Sequence, residues 1–192
     1  MRDDYDFSQG AKNPYTKESP TSVTRLIIFS GLPGTGKTSI ARELAAKMKA
    51  AFLRIDTVEQ ALIDSGLIKS GDDLGPAGYM VAQALAADNL LSLSVITDPV
   101  NPFAVTRDAW REVAIKCGVK YLEIEVVCSD QEEHRRRIET RQPDIPGLKL
   151  PTWNEVINRE YQPWNRERLV IDSSTQSVHQ AVEAIMSCLP TL

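Results

Sequence analysis

The sequence predicts an α/β domain built on a five-stranded parallel sheet with helices on both faces. Two observations predict it. Short apolar runs recur five times, and each is followed by a stretch with helical spacing. Glycine, proline or aspartate marks most of the switches between the two patterns. Strands that alternate with helices in this way pair in parallel and need cover on both sides. The length of 192 residues suits one domain plus a short extension. A domain of that size buries roughly two-thirds of the surface its unfolded chain exposes.

The elements follow in order. Residues 1–23 are polar and acidic with scattered aromatics and no periodicity, so they read as a flexible tail ahead of a domain over 24–192. Leu26-Ile27-Ile28-Phe29 is an apolar run suited to a strand buried on both faces. Ile40, Leu44 and Met48 then share one helix face. Phe52 to Ile55 is a second strand ending at Asp56, and Thr57 with Gln60 forms a capping box for a short helix. Residues 66–75 form a loop with Gly71, Asp72 and Asp73, and Pro76 opens a helix running to about Leu93. Val95-Ile96-Thr97 is a third strand ending at Asp98. A helix from Phe103 to Cys117 is stopped by Gly118.

Tyr121 to Cys128 is the fourth strand. Leu122, Ile124 and Val126 alternate with Glu123 and Glu125, so one face is expected to be only partly covered. Ser129 and Glu132 form a second capping box ahead of an Arg-rich helix. Residues 142–151, with Pro143, Pro146, Gly147 and Pro151, are a loop. Thr152 and Glu155 start another helix, and Leu169-Val170-Ile171 is the fifth strand. A last helix carries Val178, Val182, Ile185 and Leu189 on one stripe.

Composition narrows the function. Lys and Arg number 22 against 26 Asp and Glu, a formal charge of −4. Bulk non-specific nucleic-acid binding draws on excess positive charge, so this balance argues against it. No apolar run is long enough to span a membrane, and the first residues lack a signal-peptide pattern; the expected location is the cytoplasm. Three widely spaced cysteines, Cys117, Cys128 and Cys188, make no disulfide framework or CxxC site.

The strongest chemical signal is Gly31-Leu32-Pro33-Gly34-Thr35-Gly36-Lys37-Thr38, a complete GxxxxGK[ST] loop between strand and helix. Its glycines let backbone N–H groups turn inward around phosphate oxygens, and the helix N-terminus adds partial positive charge. The nucleotide contacts run from Gly31 to Ser39. Lys37 is placed to reach the β- and γ-phosphates, and Thr38 to ligate Mg²⁺. A triphosphate needs an acceptor in line, with a carboxylate to orient its hydroxyl. Asp56 and Asp98 end strands, and strand carboxyl ends border the ligand crevice of a parallel sheet. Asp56 is therefore the expected acceptor contact or general base. Asp98, after Val-Ile-Thr, is the expected Mg²⁺ organiser beside Thr38.

His134-Arg135-Arg136-Arg137-Ile138-Glu139-Thr140-Arg141 concentrates four arginines. Arg137 and Arg141, one helical turn apart, are expected on a mobile lid that stabilises the transferred charge. Arg135 reads as a surface residue, and Arg107 is a further candidate phosphate contact. The run Gly75 to Tyr79 either lines an acceptor pocket or simply starts a helix. Tyr161 to Trp164 packs either near the nucleotide or as an ordinary aromatic anchor.

Together with Asp98 to Pro102, Thr106 to Trp110 and the stretch Arg135 to Trp164, these motifs resemble the small P-loop kinases labelled AAA-type ATP-binding or adenylylsulfate-kinase-like proteins. The resemblance covers about residues 24–190. It implies a three-layer P-loop kinase fold with strand order 2-3-1-4-5 and ATP with Mg²⁺ as cofactors. It also implies transfer of the γ-phosphate to a hydroxyl of a small molecule, the acceptor carboxylate at Asp56 and lid arginines at Arg137 and Arg141. Relatives of the group include chloramphenicol phosphotransferase, gluconate kinase, zeta-toxin kinases and polynucleotide kinases. The last usually carry an arginine three residues after the acceptor aspartate, where this sequence has Glu59. Tyr5 to Ser8 and Asn13 to Tyr15 resemble tail segments of small bacterial antitoxins. That leaves two alternatives, a nucleotide-binding regulatory or toxin–antitoxin component with a protein partner on the tail, and a nucleic-acid 5′-hydroxyl kinase. The expected assembly is a monomer or homodimer.

Overall fold

The structure is a computed structural model and describes residues 24–66 and 74–189. The tail, with its antitoxin-like segments, and Gly71, Asp72 and Asp73 lie outside the described residues. The chain runs β1 (Arg25–Ser30), α1 (Lys37–Met48), β2 (Ala51–Arg54), α2 (Ile55–Asp64), α3 (Ala77–Leu90) and β3 (Val95–Asp98). It continues with α4 (Ala104–Cys117), β4 (Lys120–Val127), α5 (Gln131–Thr140), α6 (Trp153–Ile157), β5 (Leu169–Asp172) and α7 (Val178–Cys188).

The five strands form one parallel sheet in the order β2-β3-β1-β4-β5, as the resemblance implies. β1 lies at the centre, with Ile27 beside Ile96 on one side and Leu122 on the other. Its side chains alternate between two cores. Ile27 and Phe29 pack with Ile40 and Leu44 of α1 and Val182 and Ile185 of α7. Leu26 and Ile28 face the opposite way, onto Ala82 and Ala86 of α3 and Trp110 and Ala114 of α4. All four β1 side chains are fully buried, and burying an aliphatic side chain contributes about 1.5–3 kcal/mol. This central strand therefore holds its carboxyl end, where the phosphate loop begins, against both helix layers.

Three details differ from the sequence expectation. α2 begins at Ile55 with Arg54 as its N-cap residue, so Thr57 lies inside the helix and makes no capping box. The strand is correspondingly shorter, and Asp56 sits in the first turn of α2. At α5 the N-cap is Asp130, whose carboxylate accepts from Glu133 N at 3.0 Å. The Ser129 N–H and hydroxyl instead donate to Asp172, tying the end of β4 to the end of β5. The expected box at Thr152 and Glu155 is made.

The third difference is the polar face of β4. Glu123 and Glu125 are buried, not half-solvated. Arg166 donates to Glu123 at 2.6 and 2.8 Å, and Arg168 donates to Glu125 at 2.7 and 2.9 Å. Trp164 lies between them, with the Arg107 guanidinium 4.3 Å from its ring centroid. A segment forty residues downstream thus covers the acidic face with matched charge. Tyr161 and Trp164 lie against the buried Arg107 guanidinium, and neither lines the cleft described below.

Candidate active site

The phosphate loop occupies the space between β1 and α1. Gly31 has φ of 132°, and a Cβ there would lie 2.2 Å from the Val126 carbonyl oxygen of β4. Only glycine lets the chain turn so close to the neighbouring strand. Lys37 is the first residue of α1 and is buried. Its ammonium donates to the Leu32 carbonyl at 3.0 Å, across the loop. Burial pushes the Lys37 pKa below the usual lysine range, while the charges of Asp98 and Asp56 pull it back up. No side chain caps the start of α1 and no acidic residue stands in its first turn. Its N–H groups and the lysine therefore present donors and positive charge to one space.

Asp98 ends β3 directly beside this. The Thr38 hydroxyl donates to Asp98 Oδ2 at 2.6 Å. Asp98 Oδ1 is buried and has no hydrogen-bond partner. Burial pushes the Asp98 pKa up, and Lys37 and the Thr38 bond oppose that shift. An unsatisfied hard oxygen next to a hydroxyl is a donor set that suits Mg²⁺, which binds one or two protein oxygens and keeps waters and phosphate oxygens for the rest.

A cleft of about 990 Å³ opens above these residues and is lined by Lys37, Thr38, Asp56, Asp98, Arg137 and Arg141 among others. The structure thus brings all the sequence-selected catalytic and metal residues to one cavity. Arg54 holds the far wall. It is 5% exposed, and it donates to Asp56 Oδ2 at 3.3 Å and to Asp144 Oδ2 at 2.7 Å.

Asp144 belongs to the loop 142–151 and is a residue the sequence reading missed. Arg42 of α1 donates to the same oxygen at 3.1 Å, and Arg141 lies 3.8 Å from the other. The bond from Arg54 holds the Asp144 carboxyl down at about 2, with Arg42 adding to it. Asp144 thus ties the loop across the mouth of the cleft. Its folded pKa is depressed, so this tie is fully present above the ordinary aspartate pKa and is lost as pH falls through about 2. Asp144→Asn should speed limited proteolysis within 142–151 several-fold and lower the melting temperature by a few degrees, because buried Arg54 then keeps only Asp56 as a charged partner. Unaltered cleavage kinetics would show that the loop is held by other contacts.

The arginine cluster divides. Arg135 pairs with Glu139 at 2.8 Å and Arg136 with Glu133 at 2.7 Å, both on the solvent side. Arg137 donates to Glu133 at 2.7 Å, to the Ser173 hydroxyl at 2.8 Å and to the Ser173 carbonyl at 3.0 Å, and it faces the phosphate loop near Gly36. The His134 ring Nε2 lies 2.7 Å from the Pro33 carbonyl, which fastens α5 to the same loop. Arg141 is past the helix end with an extended backbone, so it does not share a helical face with Arg137. Arg107 is not at the cleft surface. It is 1% exposed, and it donates to the carbonyls of Asn101, Pro102, Gln162 and Pro163, which corrects its reading as a phosphate contact.

Residues 26–157 match the AAA domain family AAA_33. The chain belongs to this family. It is a P-loop kinase, as the phosphate loop and the later segments implied, and its activity is that of an ATP-dependent kinase. A protein of Aeropyrum pernix named probable adenylyl-sulfate kinase is 26% identical to it over 176 residues, covering 84% of this chain and 90% of the relative. The structure of APS kinase from Mycobacterium tuberculosis, in complex with AMPPNP and APS, superposes with a TM-score of 0.63 at 19% identity, covering 88% of this kinase and 98% of that chain. A gluconokinase from Sinorhizobium meliloti 1021 gives a TM-score of 0.59 at 19% identity, covering 88% and 93%. These two structures share the fold of the kinase. Among the described residues, no helix is long and apolar enough to cross a membrane.

Proposed function

We propose that this kinase transfers the γ-phosphate of ATP to a hydroxyl of a small molecule held at the Asp56 end of the cleft. The observation that carries the reading is that Lys37, the Thr38–Asp98 pair and Asp56 line a single cavity. The loop amides and Lys37 hold the β- and γ-phosphates. Thr38 and Asp98 are the residues that would hold Mg²⁺, which supplies neutralising charge to the phosphate oxygens. Asp56 orients the acceptor hydroxyl and takes its proton. The acceptor oxygen forms the new bond to phosphorus, the bond to the bridging oxygen breaks, and ADP leaves. Arg141 and Arg137 stabilise the charge that spreads over the transferred group.

The test is phosphorylation of a pooled metabolite extract with radiolabelled ATP by wild type and Lys37→Ala. Removing the lysine should lower label transfer by about 10²–10³-fold, the scale of losing one preorganised charge stabiliser. Product at the wild-type level from Lys37→Ala would remove the reading.

A further inference from the structure

Glu59 stands on α2 one turn after Asp56, so the two carboxylates share the helix face that borders the cleft. A glycine on the facing helix makes room for it. A Cβ on Gly78 of α3 would lie 2.4 Å from Glu59 Cγ and 2.8 Å from Oε1. Gly78 itself is helical, where glycine costs about 1 kcal/mol relative to alanine, so this position gives up helix stability to admit the glutamate. The next residue, Tyr79, borders the same space, and its phenol oxygen accepts from Asn101 N at 3.2 Å. Burial, with the charge of Asp56, pushes the half-buried Glu59 carboxyl up to about 7.

Of the charged groups around Glu59, Arg159 is the cation that opposes the rise of its carboxyl. On its own helix stands Asp56. From α3 comes Tyr79, and from the segment after α6 comes the exposed Arg159. Lys37 and Asp98 lie across the cleft floor, and Arg42, Arg137, Arg141, Asp144 and Lys149 line the rest of the cleft. Among the described residues Glu59 forms no ion pair. Arg54 and Arg42 are drawn to Asp144 instead. The wall beside the carboxylates is apolar and open. Met80 is 63% exposed and Val105 is 71% exposed, and both line the cleft.

We propose that Glu59 sets acceptor specificity by accepting a hydrogen bond from a second donor group of an amphipathic acceptor. One hydroxyl lies on Asp56, a neighbouring hydroxyl or amine donates to Glu59, and an apolar body lies against Met80 and Val105. This rests on the phosphotransferase reading above. An acceptor with no donor at this position would leave the half-buried Glu59 carboxyl unpaired in a partly desolvated wall. A donor group on the ligand satisfies Glu59 instead, and the bond is charge-assisted when Glu59 is ionised.

The experiment uses the full chain with radiolabelled ATP, Mg²⁺ and the metabolite extract. The mass of the labelled product identifies the acceptor. It should carry a hydroxyl or amine beside the phosphorylated oxygen and an apolar portion. For the acceptor so identified, wild-type KM should fall as pH rises from about 6 to about 8, because ionised Glu59 is the better acceptor of its hydrogen bond. Glu59→Gln, nearly isosteric and expected to keep the melting temperature, should raise KM about tenfold at the upper pH, flatten that profile and change kcat less. An acceptor with no hydroxyl or amine beside the phosphorylated oxygen, or wild-type KM and pH profile in Glu59→Gln, would overturn the assignment. If wild type labels nothing beyond the Lys37→Ala background, the phosphotransferase reading itself fails and the role of Glu59 falls with it.

Discussion

Asp56→Asn should keep ATP binding and lose phosphoryl transfer by about 10²–10⁴-fold, the range for removing a positioned general base. The two properties separate because Asp56 lies on α2, away from the loop that holds the phosphates. An asparagine keeps an oxygen that can accept the Arg54 bond, seen at 3.3 Å, so the wall of the cleft is preserved. The fold should lose little. A carboxylate in the first turn of a helix contributes about 0.3–1 kcal/mol, and Asp56 is partly exposed. Two measurements check this: affinity for a non-hydrolysable ATP analogue, expected within a few-fold of wild type, and label transfer to acceptor. Full transfer by the variant would sink the assignment of Asp56. The substitution also removes one of the two causes that raise the Glu59 carboxyl to about 7. The pH profile for acceptor binding should therefore move toward the ordinary glutamate range in Asp56→Asn.

What could be read from the sequence was whatever is written locally. The strands and long helices follow from apolar runs and helical spacing, and β1 is buried on both faces because each of its four apolar residues serves one of two cores. The phosphate loop is a contiguous motif whose chemistry depends on its own glycines and lysine. Asp56 and Asp98 were found because strand ends border the crevice of a parallel sheet.

What escaped depends on partners far along the chain. Glu123 and Glu125 read as a solvated face because Arg166 and Arg168, which cover them, stand 43 positions later. Buried Arg107 read as a phosphate contact for the same reason, since the carbonyls that hold it belong partly to residues 162 and 163. Asp144 carries no local signal at all; its role comes from Arg42 and Arg54 meeting the loop. Glu59 did have a signal, its place one helical turn after Asp56. Its weight came only from Gly78 on another helix. The misplaced caps at Thr57 and Ser129 show the same limit on a smaller scale. Ser129 has the right chemistry for a cap, yet Asp172 on a neighbouring strand engages its hydroxyl.

Gly31→Ala should be the most damaging single change to the fold near the site. The added Cβ would lie 2.2 Å from the Val126 carbonyl oxygen and 3.2 Å from its carbon, both backbone atoms of β4. No side-chain rotation relieves that collision. Either the end of β1 withdraws from β4, breaking a register that pairs Ser30 with Glu125, or the loop gives up its bond from Gly31 N to the Val100 carbonyl. The residue must also hold φ of 132°, which an L side chain rarely adopts. The cost should exceed about 4 kcal/mol, in the exceptional range for one substitution. At roughly 2–4 °C per kcal/mol, the melting temperature should fall by about 10 °C or more. Gly118→Ala separates collision from backbone strain. Gly118 has φ of 66° and open space around its Cβ position, so alanine there pays only the left-handed penalty of about 1–2 kcal/mol. Thermal denaturation of the two variants side by side decides the matter. Equal melting temperatures would mean that the approach of Gly31 to β4 contributes nothing beyond its dihedral angle. A large gap, with ATP affinity lost in Gly31→Ala and kept in Gly118→Ala, would show that the phosphate loop is held in shape by its contact with the neighbouring strand.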